Sequence, residues 1–324
     1  MASLFDYGPL FTTLREKSED LSRFAFVIIG AAKALLNKPG PNDYSHSEAI
    51  EKRIGELLGK SAMKQLSASE LFILIAASYL HDIDKDQEDS DIKHGKRAAD
   101  RIRKGEEFRH LFPFDDMRKQ VEDVCELHDA PTAVLKKCSH TFNLDNSRLG
   151  IVHLLESERK VRVGMLAGIF RLADELECIS MRMKLHGAKA DDPRNAISGV
   201  RIDAEGKKIF LAFHRDTTPT KQSVCKHYLG NALLSVRTLL KPHGLSYRQT
   251  QTLSPSVEQG ASSREEKAAY VKAQSYDIPA ASNEEGQGSS KAPIRDIEKV
   301  LGRIQYHRLA TIRTTALLGL VRRV

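Results

Sequence analysis

The sequence from Leu71 to Asp82 reads LFILIAASYLHD, a largely apolar run that leads directly into a histidine and an aspartate. Its apolar spacing predicts a helix over Ala68–His81, and a helix that is apolar on all sides is expected to be buried. The His81-Asp82 dyad at its end is suited to bind one metal ion, since a neutral imidazole nitrogen and a carboxylate oxygen prefer the same divalent cations. The alternative is a histidine that only caps the helix carbonyls.

The rest of the chain up to about residue 190 has the same helical character, which predicts a mainly α fold. Apolar residues recur at three- and four-residue intervals in six further segments, which are Leu10–Leu36, His46–Gly59, His94–Lys104, Asp115–His128, Leu149–Ser157 and Arg162–Ser180. Beyond them, two β-prone runs within Val200–Phe213 flank an Ala-Glu-Gly-Lys turn and predict a β-hairpin. A helix over Ser223–Leu240 is expected next, broken by Pro242 and Gly244.

These patterns divide the chain into four parts. A helical domain spans 1–190, and a small α+β appendage, the hairpin with its helix, spans 191–251. Residues 252–292 bury too little apolar surface to offset their ordering entropy and are predicted to be a disordered linker. Residues 293–324 are predicted to form a basic amphipathic C-terminal helix. This helix is expected to dock on the body or on another copy, as in a homo-oligomer. The alternative is contact with an anionic membrane or with nucleic acid.

Bulk composition agrees with a cytoplasmic protein. The four cysteines of the 324-residue chain are widely spaced and form no C-x-x-C pair, which argues against a disulfide framework or a thiolate zinc site. The longest early apolar run, Phe24–Leu36, contains Lys33 and is too short for a bilayer, so no membrane span is expected. The net charge of +7 is concentrated after Lys299 and says little about nucleic-acid binding by the whole protein.

Two residues far apart in the sequence would complete a metal site with the dyad. His46 falls in the first turn of a predicted helix that Ser45 is expected to cap, where the helix dipole favours the neutral, ligating imidazole. Asp174 continues an apolar helical stripe, where a carboxylate is costly to bury without a partner. For His46 the alternative is an ordinary surface histidine. For Asp174 it is a structural salt bridge with Arg162, Arg171 or Arg182.

His94 and His128 are further candidate ligands, because each lies at the end of a predicted helix, where side chains from separate helices can converge. Each is also explained as an ordinary cap or surface residue. Lys85, one turn beyond His81, is placed to bind a phosphate oxygen as a point charge. The sequence contains no G-x-S-x-G nucleophile elbow, phosphate-binding loop or dinucleotide glycine fingerprint, so it does not support the mechanisms that need them.

The order His46, His81-Asp82, Asp174 resembles the H…HD…D signature of the HD superfamily of metal-dependent phosphohydrolases. The segment YLHDIDK, which ends at Lys85, is similar to the helix end that carries the family's dyad. The segment Val161–Leu176, which contains RLAD, is similar to the helix of its last ligand. The likeness covers roughly residues 40–185. It implies an HD-type helical bundle whose four signature residues hold one divalent ion, with Mn, Fe, Co, Ni, Zn and Mg as candidates.

Dinuclear relatives in this superfamily place further histidines between the dyad and the final aspartate, and His94 and His128 fall in the matching places. The resemblance therefore implies one ion or two per chain, with Asp82 as the bridge between two. After His128 the chain reads Asp-Ala-Pro-Thr where HD-GYP phosphodiesterases carry their GYP element, which argues against cyclic-di-GMP hydrolysis. Asp84 also stands where many relatives have glycine.

The activity that the resemblance implies is hydrolysis of a phosphoester or phosphoanhydride bond, with a nucleotide as the expected substrate. Asp82 and Lys85 are the expected catalytic residues, and Lys85, Arg162 and Arg171 are expected to neutralise charge on the substrate phosphate. Two alternatives remain open. One is a metal-dependent single-strand nuclease that grips the backbone with the basic tail, and the other is a non-catalytic HD module that senses a nucleotide.

Overall fold

The computed structural model describes residues 8–36, 44–84, 93–135, 141–144, 154–177 and 193–250. Its helices are α1 (Pro9–Lys17), α2 (Glu19–Leu36), α3 (Tyr44–Gln65), α4 (Ala68–Leu80), α5 (His94–Lys104), α6 (Glu106–Arg109), α7 (Asp115–His128), α8 (Thr132–Leu135), α9 (Val163–Glu177) and α10 (Pro219–Leu240). Its strands are β1 (Phe142–Asn143), β2 (Lys160–Val161), β3 (Ile197–Asp203), β4 (Lys208–Phe213) and β5 (Arg248–Gln249). The predicted mainly α fold with a small α+β appendage is confirmed.

Helix α4 lies at the centre of the helical bundle. Every residue from Ala68 to Leu80 is buried, and α1, α2, α3, α7 and α9 all pack against it. This position explains why the helix has no polar face. A capping box fixes its start, because the Ser67 side chain accepts from the backbone of Glu70 while the Glu70 side chain accepts from the backbone of Ser67. The end of α4 therefore delivers the His81-Asp82 dyad into the interior of the bundle.

The segment Leu10–Leu36 is helical as predicted and is divided into two helices, because Ser18 is extended (φ −152°, ψ 105°) and its hydroxyl accepts from the backbone of Leu21 at 3.3 Å. Two local predictions were wrong. Ser45 lies inside α3 rather than at its cap, since the helix already includes Tyr44. The helix predicted over Leu149–Ser157 is replaced, in its described part, by a 3-10 turn at Glu156–Glu158.

The 3-10 turn has a physical cause in its contacts with the start of α4. The carbonyl of Glu158 accepts from the Ser69 hydroxyl, and the Glu158 carboxylate accepts from the backbone of Ala68. The following strand β2 pairs with β1 in antiparallel register, and its residue Lys160 accepts from the Ser67 hydroxyl at 2.7 Å. These bonds to another element replace the intrahelical bonds that apolar periodicity alone would predict.

The hairpin of the appendage is confirmed. Strands β3 and β4 pair antiparallel with Val200 opposite Leu211, and Asp203 accepts from the backbone of Gly206 at 2.8 Å in the turn between them. Helix α10 begins at Pro219, earlier than predicted, because the Thr218 hydroxyl caps its first turn. It packs against α9, the helix that carries Asp174. The appendage therefore packs against α9 and helps to hold the helix that carries Asp174.

Several predictions fall on residues that the structure does not describe. They include Lys85, the linker at 252–292 and the basic helix at 293–324. In the described part of the chain, none of the helices combines the length and the apolar character that a membrane span requires.

Candidate metal centre

The structure brings six sequence-predicted residues together at the centre of the bundle. They form a first group of His46, His81 and Asp174 and a second group of Asp82, His94 and His128. Within each group, one potential ligand atom per residue lies within 4.8 Å of the others. The residues come from the first turn of α3, the end of α4, the start of α5, the end of α7 and the last turns of α9. Element ends dominate the site, as the sequence predicted.

The carboxylate of Asp82 belongs to the second group and also reaches the first. Its Oδ2 is 3.4 Å from Nε2 of His81 and 3.6 Å from Nε2 of His46, both in the first group. Its Oδ1 is 3.7 Å from Nε2 of His94 in the second group. The first group is closed by Asp174, whose Oδ1 lies 3.3 Å from Nε2 of His46. One carboxylate oxygen of Asp82 thus faces each group.

Three of the four imidazoles are held by a hydrogen bond at Nδ1. His81 contacts the carbonyl of Ser78 at 3.1 Å, and His128 contacts the carbonyl of Cys125. His94 lies 3.1 Å from a carboxylate oxygen of Asp129. Because carbonyl and carboxylate oxygens only accept, Nδ1 carries a proton in each ring, and in the neutral form of the ring Nε2 keeps its lone pair. All three Nε2 atoms face the cluster, which is the arrangement of histidines that bind metals.

The spacing of these atoms fits a divalent cation. Nε2 of His94 and Nε2 of His128 are 3.0 Å apart, so two lone pairs face each other at a distance that repels unless a cation or a proton lies between them. Nε2 of His81 is buried without a hydrogen-bond partner among the described residues. Ligand atoms that bind one ion at about 2.1 Å lie roughly 3.0–3.4 Å apart. The separations are 3.3 and 4.0 Å in the first group and 3.0 and 3.7 Å in the second, so one contact in each group already has this spacing. The donor set of imidazoles and carboxylates suits a transition metal.

The wall of the cluster is aromatic. The ring of Phe170 on α9 meets the rings of His81 and His128 edge-on, with centroids 5.2 and 5.5 Å apart. His81 and His128 are 1% and 4% exposed. Packing of this kind keeps water from one side of the cluster and holds the imidazole planes, so the site is built into the core rather than placed on a loop.

The electrostatics of the cluster favour its ligating protonation states. Burial lowers the pKa of His128 to about 4, and the charges of His81 and His94 act in the same direction. For Asp174, burial alone would raise the pKa, but the hydrogen bond and charge of His46, with the charge of His81, bring it well below its usual range. Neutral imidazole and ionised carboxylate are the forms that bind metals.

A pH dependence of stability follows for the metal-free protein. His128 titrates near 6.5 when unfolded and near 4 when folded, so between these values the unfolded state binds the extra proton. We expect the free energy of unfolding to fall as the pH drops from 6.5 to 4, by on the order of 1–3 kcal/mol. Burial would raise the pKa of Asp129, but the hydrogen bond with His94 lowers it to about 2. Asp129 therefore contributes stability that is fully present above pH 3.8 and is lost as the pH falls toward 2.

Urea unfolding of chelator-treated protein across this range measures the effect. His128→Gln removes the titrating ring and should flatten the profile between pH 6.5 and 4 while leaving the loss below pH 4. A wild-type profile that is flat above pH 4 would show that His128 is not held neutral by the fold.

The structure does not bring Arg162 to the cluster. Its guanidinium donates Nε and Nη2 to the two carboxylate oxygens of Glu70, each at 2.7 Å, and its backbone N–H donates to the same carboxylate at 2.9 Å. Arg162 therefore joins the start of α9 to the start of α4, while Asp174 lies twelve residues further along, roughly 18 Å at 1.5 Å per residue. Arg171 lies nearer, on α9 within one turn of Asp174, and donates to the carbonyl of Ala130.

Replacing Arg162 with methionine is expected to destabilise the fold without affecting metal binding. Glu70 is 1% exposed and would be left as a buried charge without its cation. Breaking a buried pair costs about 3–5 kcal/mol, and we expect about 3 kcal/mol because the Arg162 side chain is 23% exposed. Urea denaturation measures this loss. Arg23→Met, which breaks an exposed pair with Glu19, is the control and should cost less than about 1 kcal/mol. If Arg162→Met weakened substrate binding without changing stability, Arg162 would have to be a substrate-binding residue after all.

Two residues of the centre were not among the sequence predictions. Asp129 contacts His94, and Gly95 lies against His128. Their only sequence signal is adjacency to candidate ligands, in His128-Asp129 and His94-Gly95. Asp129 follows α7 but contacts His94 of α5, and Gly95 of α5 lies against His128 of α7. The sequence alone does not reveal such contacts between helices.

Comparison with known proteins agrees with this centre. A family model described as HD-CE matches residues 38–84, which contain His46 and the His81-Asp82 dyad. Together with the His/Asp cluster, the match supports an HD-type domain, and the resemblance is confirmed to that extent. No curated protein and no solved structure matches the chain significantly.

Proposed function

We propose that this protein is a metal-dependent phosphohydrolase with a dinuclear centre. The observation that carries the proposal is the position of Asp82, whose two carboxylate oxygens face the two groups of potential ligands at 3.4–3.7 Å. One histidine partner would satisfy a purely structural carboxylate. Two sets of potential ligands, one at each carboxylate oxygen, are instead the arrangement expected of a residue shared by two metal ions. An HD-type domain supports the same conclusion, since metal-dependent hydrolysis is general in that superfamily.

The ligand assignment follows the two groups. His46, His81 and Asp174 would hold one ion, His94 and His128 would hold the other, and Asp82 would be shared. Divalent ions bound there supply Lewis acidity toward a phosphoryl oxygen and make a coordinated water easier to deprotonate. With the imidazoles neutral and the carboxylates ionised, as metal binding requires, Asp82 and Asp174 would contribute two negative charges to offset the cations.

Arg171, on α9 within one turn of Asp174, is proposed to bind the substrate phosphate. Its guanidinium donates to the carbonyl of Ala130, next to Asp129, and its Nε is buried without a hydrogen-bond partner among the described residues. From this position the guanidinium would bind a phosphate oxygen and offset charge that develops during hydrolysis. Lys85 directly follows the dyad turn and is proposed for the same role from its sequence position. Arg162, whose guanidinium is paired with Glu70, is not placed for this role.

The substrate class is proposed to be a nucleotide, on the strength of the superfamily resemblance. The test is a substrate panel with the Mn²⁺-loaded full-length protein. It contains nucleoside mono- and triphosphates, cyclic nucleotides, an aryl phosphodiester and single-stranded oligonucleotides, with chelator-treated protein as the control. Metal-dependent release of phosphate or diphosphate from nucleotides supports the proposal.

The same panel separates the alternatives. Cleavage of oligonucleotides in preference to nucleotides would favour the nuclease. Saturable nucleotide binding by the metal-loaded protein without turnover would favour the sensor. Failure of the protein to retain any divalent ion would overturn the metal centre itself.

A further inference from the structure

We propose that Asp129 is a positioning residue that fixes His94, and thereby sets the affinity of the second group for its ion. The inference rests on the proposed metal centre and extends it to a residue outside both groups. Asp129 immediately follows α7, and its Oδ2 lies 3.1 Å from Nδ1 of His94 on α5. Its other carboxylate oxygen lies 3.5 Å from Nζ of Lys93, which also donates to the Asp129 carbonyl.

His94 needs such a partner because it lies at the start of its helix rather than at the end. His81 and His128 lie at the ends of helices, and each contacts a carbonyl of its own helix three residues earlier, Ser78 and Cys125. His94 is the first residue of α5, so no earlier residue of its own helix exists whose carbonyl could accept from Nδ1. A side chain from another helix takes its place, and that side chain is Asp129.

His94 also depends on this contact more than the other rings depend on theirs. Its side chain is 26% exposed, against 1% and 4% for the residues His81 and His128. Packing alone therefore restricts the His94 ring less. With Nδ1–H donated to Asp129, Nε2 is the nitrogen through which a neutral His94 ring can bind a metal, and it lies 3.7 Å from Oδ1 of Asp82 and 3.0 Å from Nε2 of His128. Removal of the carboxylate would free both the tautomer and the ring rotation.

The prediction is a selective loss at the second group. Replacing a hydrogen-bond partner of a metal-bound histidine typically weakens metal binding about 10–100-fold. We expect Asp129→Ala to weaken the second Mn²⁺ by a factor in that range and to leave the first unchanged. Asp129→Asn should fall between Asp129→Ala and wild type, because its amide oxygen still accepts from Nδ1–H while the negative charge is gone.

The experiment uses full-length protein that is stripped with chelator and titrated with Mn²⁺. Bound metal is counted by elemental analysis, and affinities are measured by calorimetry. Asp100→Asn is the matched control, because Asp100 is a partly exposed aspartate of α5 that pairs with Arg103 at 3.0 Å, not with a candidate ligand. Thermal unfolding of each metal-free variant separates lost binding from lost folding.

A double mutant distinguishes positioning from general destabilisation. His94→Gln alone should weaken the second ion at least as much as Asp129→Ala does, and adding Asp129→Ala to it should have no further effect, since Asp129 acts through His94. Additive losses, or equal weakening of both ions, would overturn the proposal. Two ions bound with wild-type affinity by Asp129→Ala would overturn it while leaving the proposed function intact. Wild type that binds two ions but hydrolyses nothing on the panel would overturn the function and not the role of Asp129.

Discussion

Asp82→Ala is expected to abolish hydrolysis and to remove metal from both groups. The carboxylate is 3% exposed and provides one oxygen to each group, so its loss takes a ligand from both positions at once. A change that only disturbs the support of a metal ligand costs about 10–100-fold in affinity, and loss of a shared ligand should exceed that range at each position. Elemental analysis and the substrate panel measure the two effects.

The fold of this variant should remain intact. A buried carboxylate contributes nothing to the apolar core, and alanine relieves its desolvation cost in the metal-free protein. Circular dichroism should therefore report wild-type helix content. Asp116→Ala, in the first turn of α7 and outside both groups, is the control and should keep both metal and activity. Near wild-type hydrolysis by Asp82→Ala would mean that the dyad is structural.

The central features were predictable because they depend on local pattern. The absence of a polar face on α4 predicted its burial, and burial of that helix fixes where His81 and Asp82 emerge. The other candidate histidine ligands also lie at predicted helix ends, so a metal site needed only that these ends meet in the fold. The capping box before α4 was missed, although Ser67 and Glu70 match the S-x-x-E pattern ahead of an apolar run.

The errors arose where contacts between distant residues decide the outcome. Arg162 was predicted to bind substrate phosphate, but its partner Glu70 lies 92 residues earlier in the chain. Helical periodicity near Leu154 and Leu155 carried no sign that Glu158 would bond to the start of α4 instead. In both cases hydrogen bonds to another element took precedence over the local pattern, and one sequence contains no record of such pairs.

The close approach of α5 and α7 has a sequence determinant of its own, Gly95. A Cβ at this position would lie 2.5 Å from the carbonyl oxygen of Cys125 and 2.9 Å from Cε1 of His128. Neither neighbour can yield easily, because the first is backbone and the second is a buried ring held by that same carbonyl. Only glycine allows α5 to approach closely enough to place Nε2 of His94 3.0 Å from Nε2 of His128.

Gly95→Ala is therefore expected to separate the two helices and abolish binding of the second ion, while the first group keeps its own. Alanine would normally stabilise a helix by up to about 1 kcal/mol relative to glycine, but overpacking costs about 1–3 kcal/mol, so the free energy of unfolding should fall. Gly230→Ala in α10 is the matched control, since nothing lies within 4 Å of the added Cβ, and the same substitution should stabilise there. Calorimetric titration with Mn²⁺ and urea unfolding of the metal-free proteins give both readouts. A Gly95→Ala variant that binds two ions as wild type does would refute the requirement for this close approach.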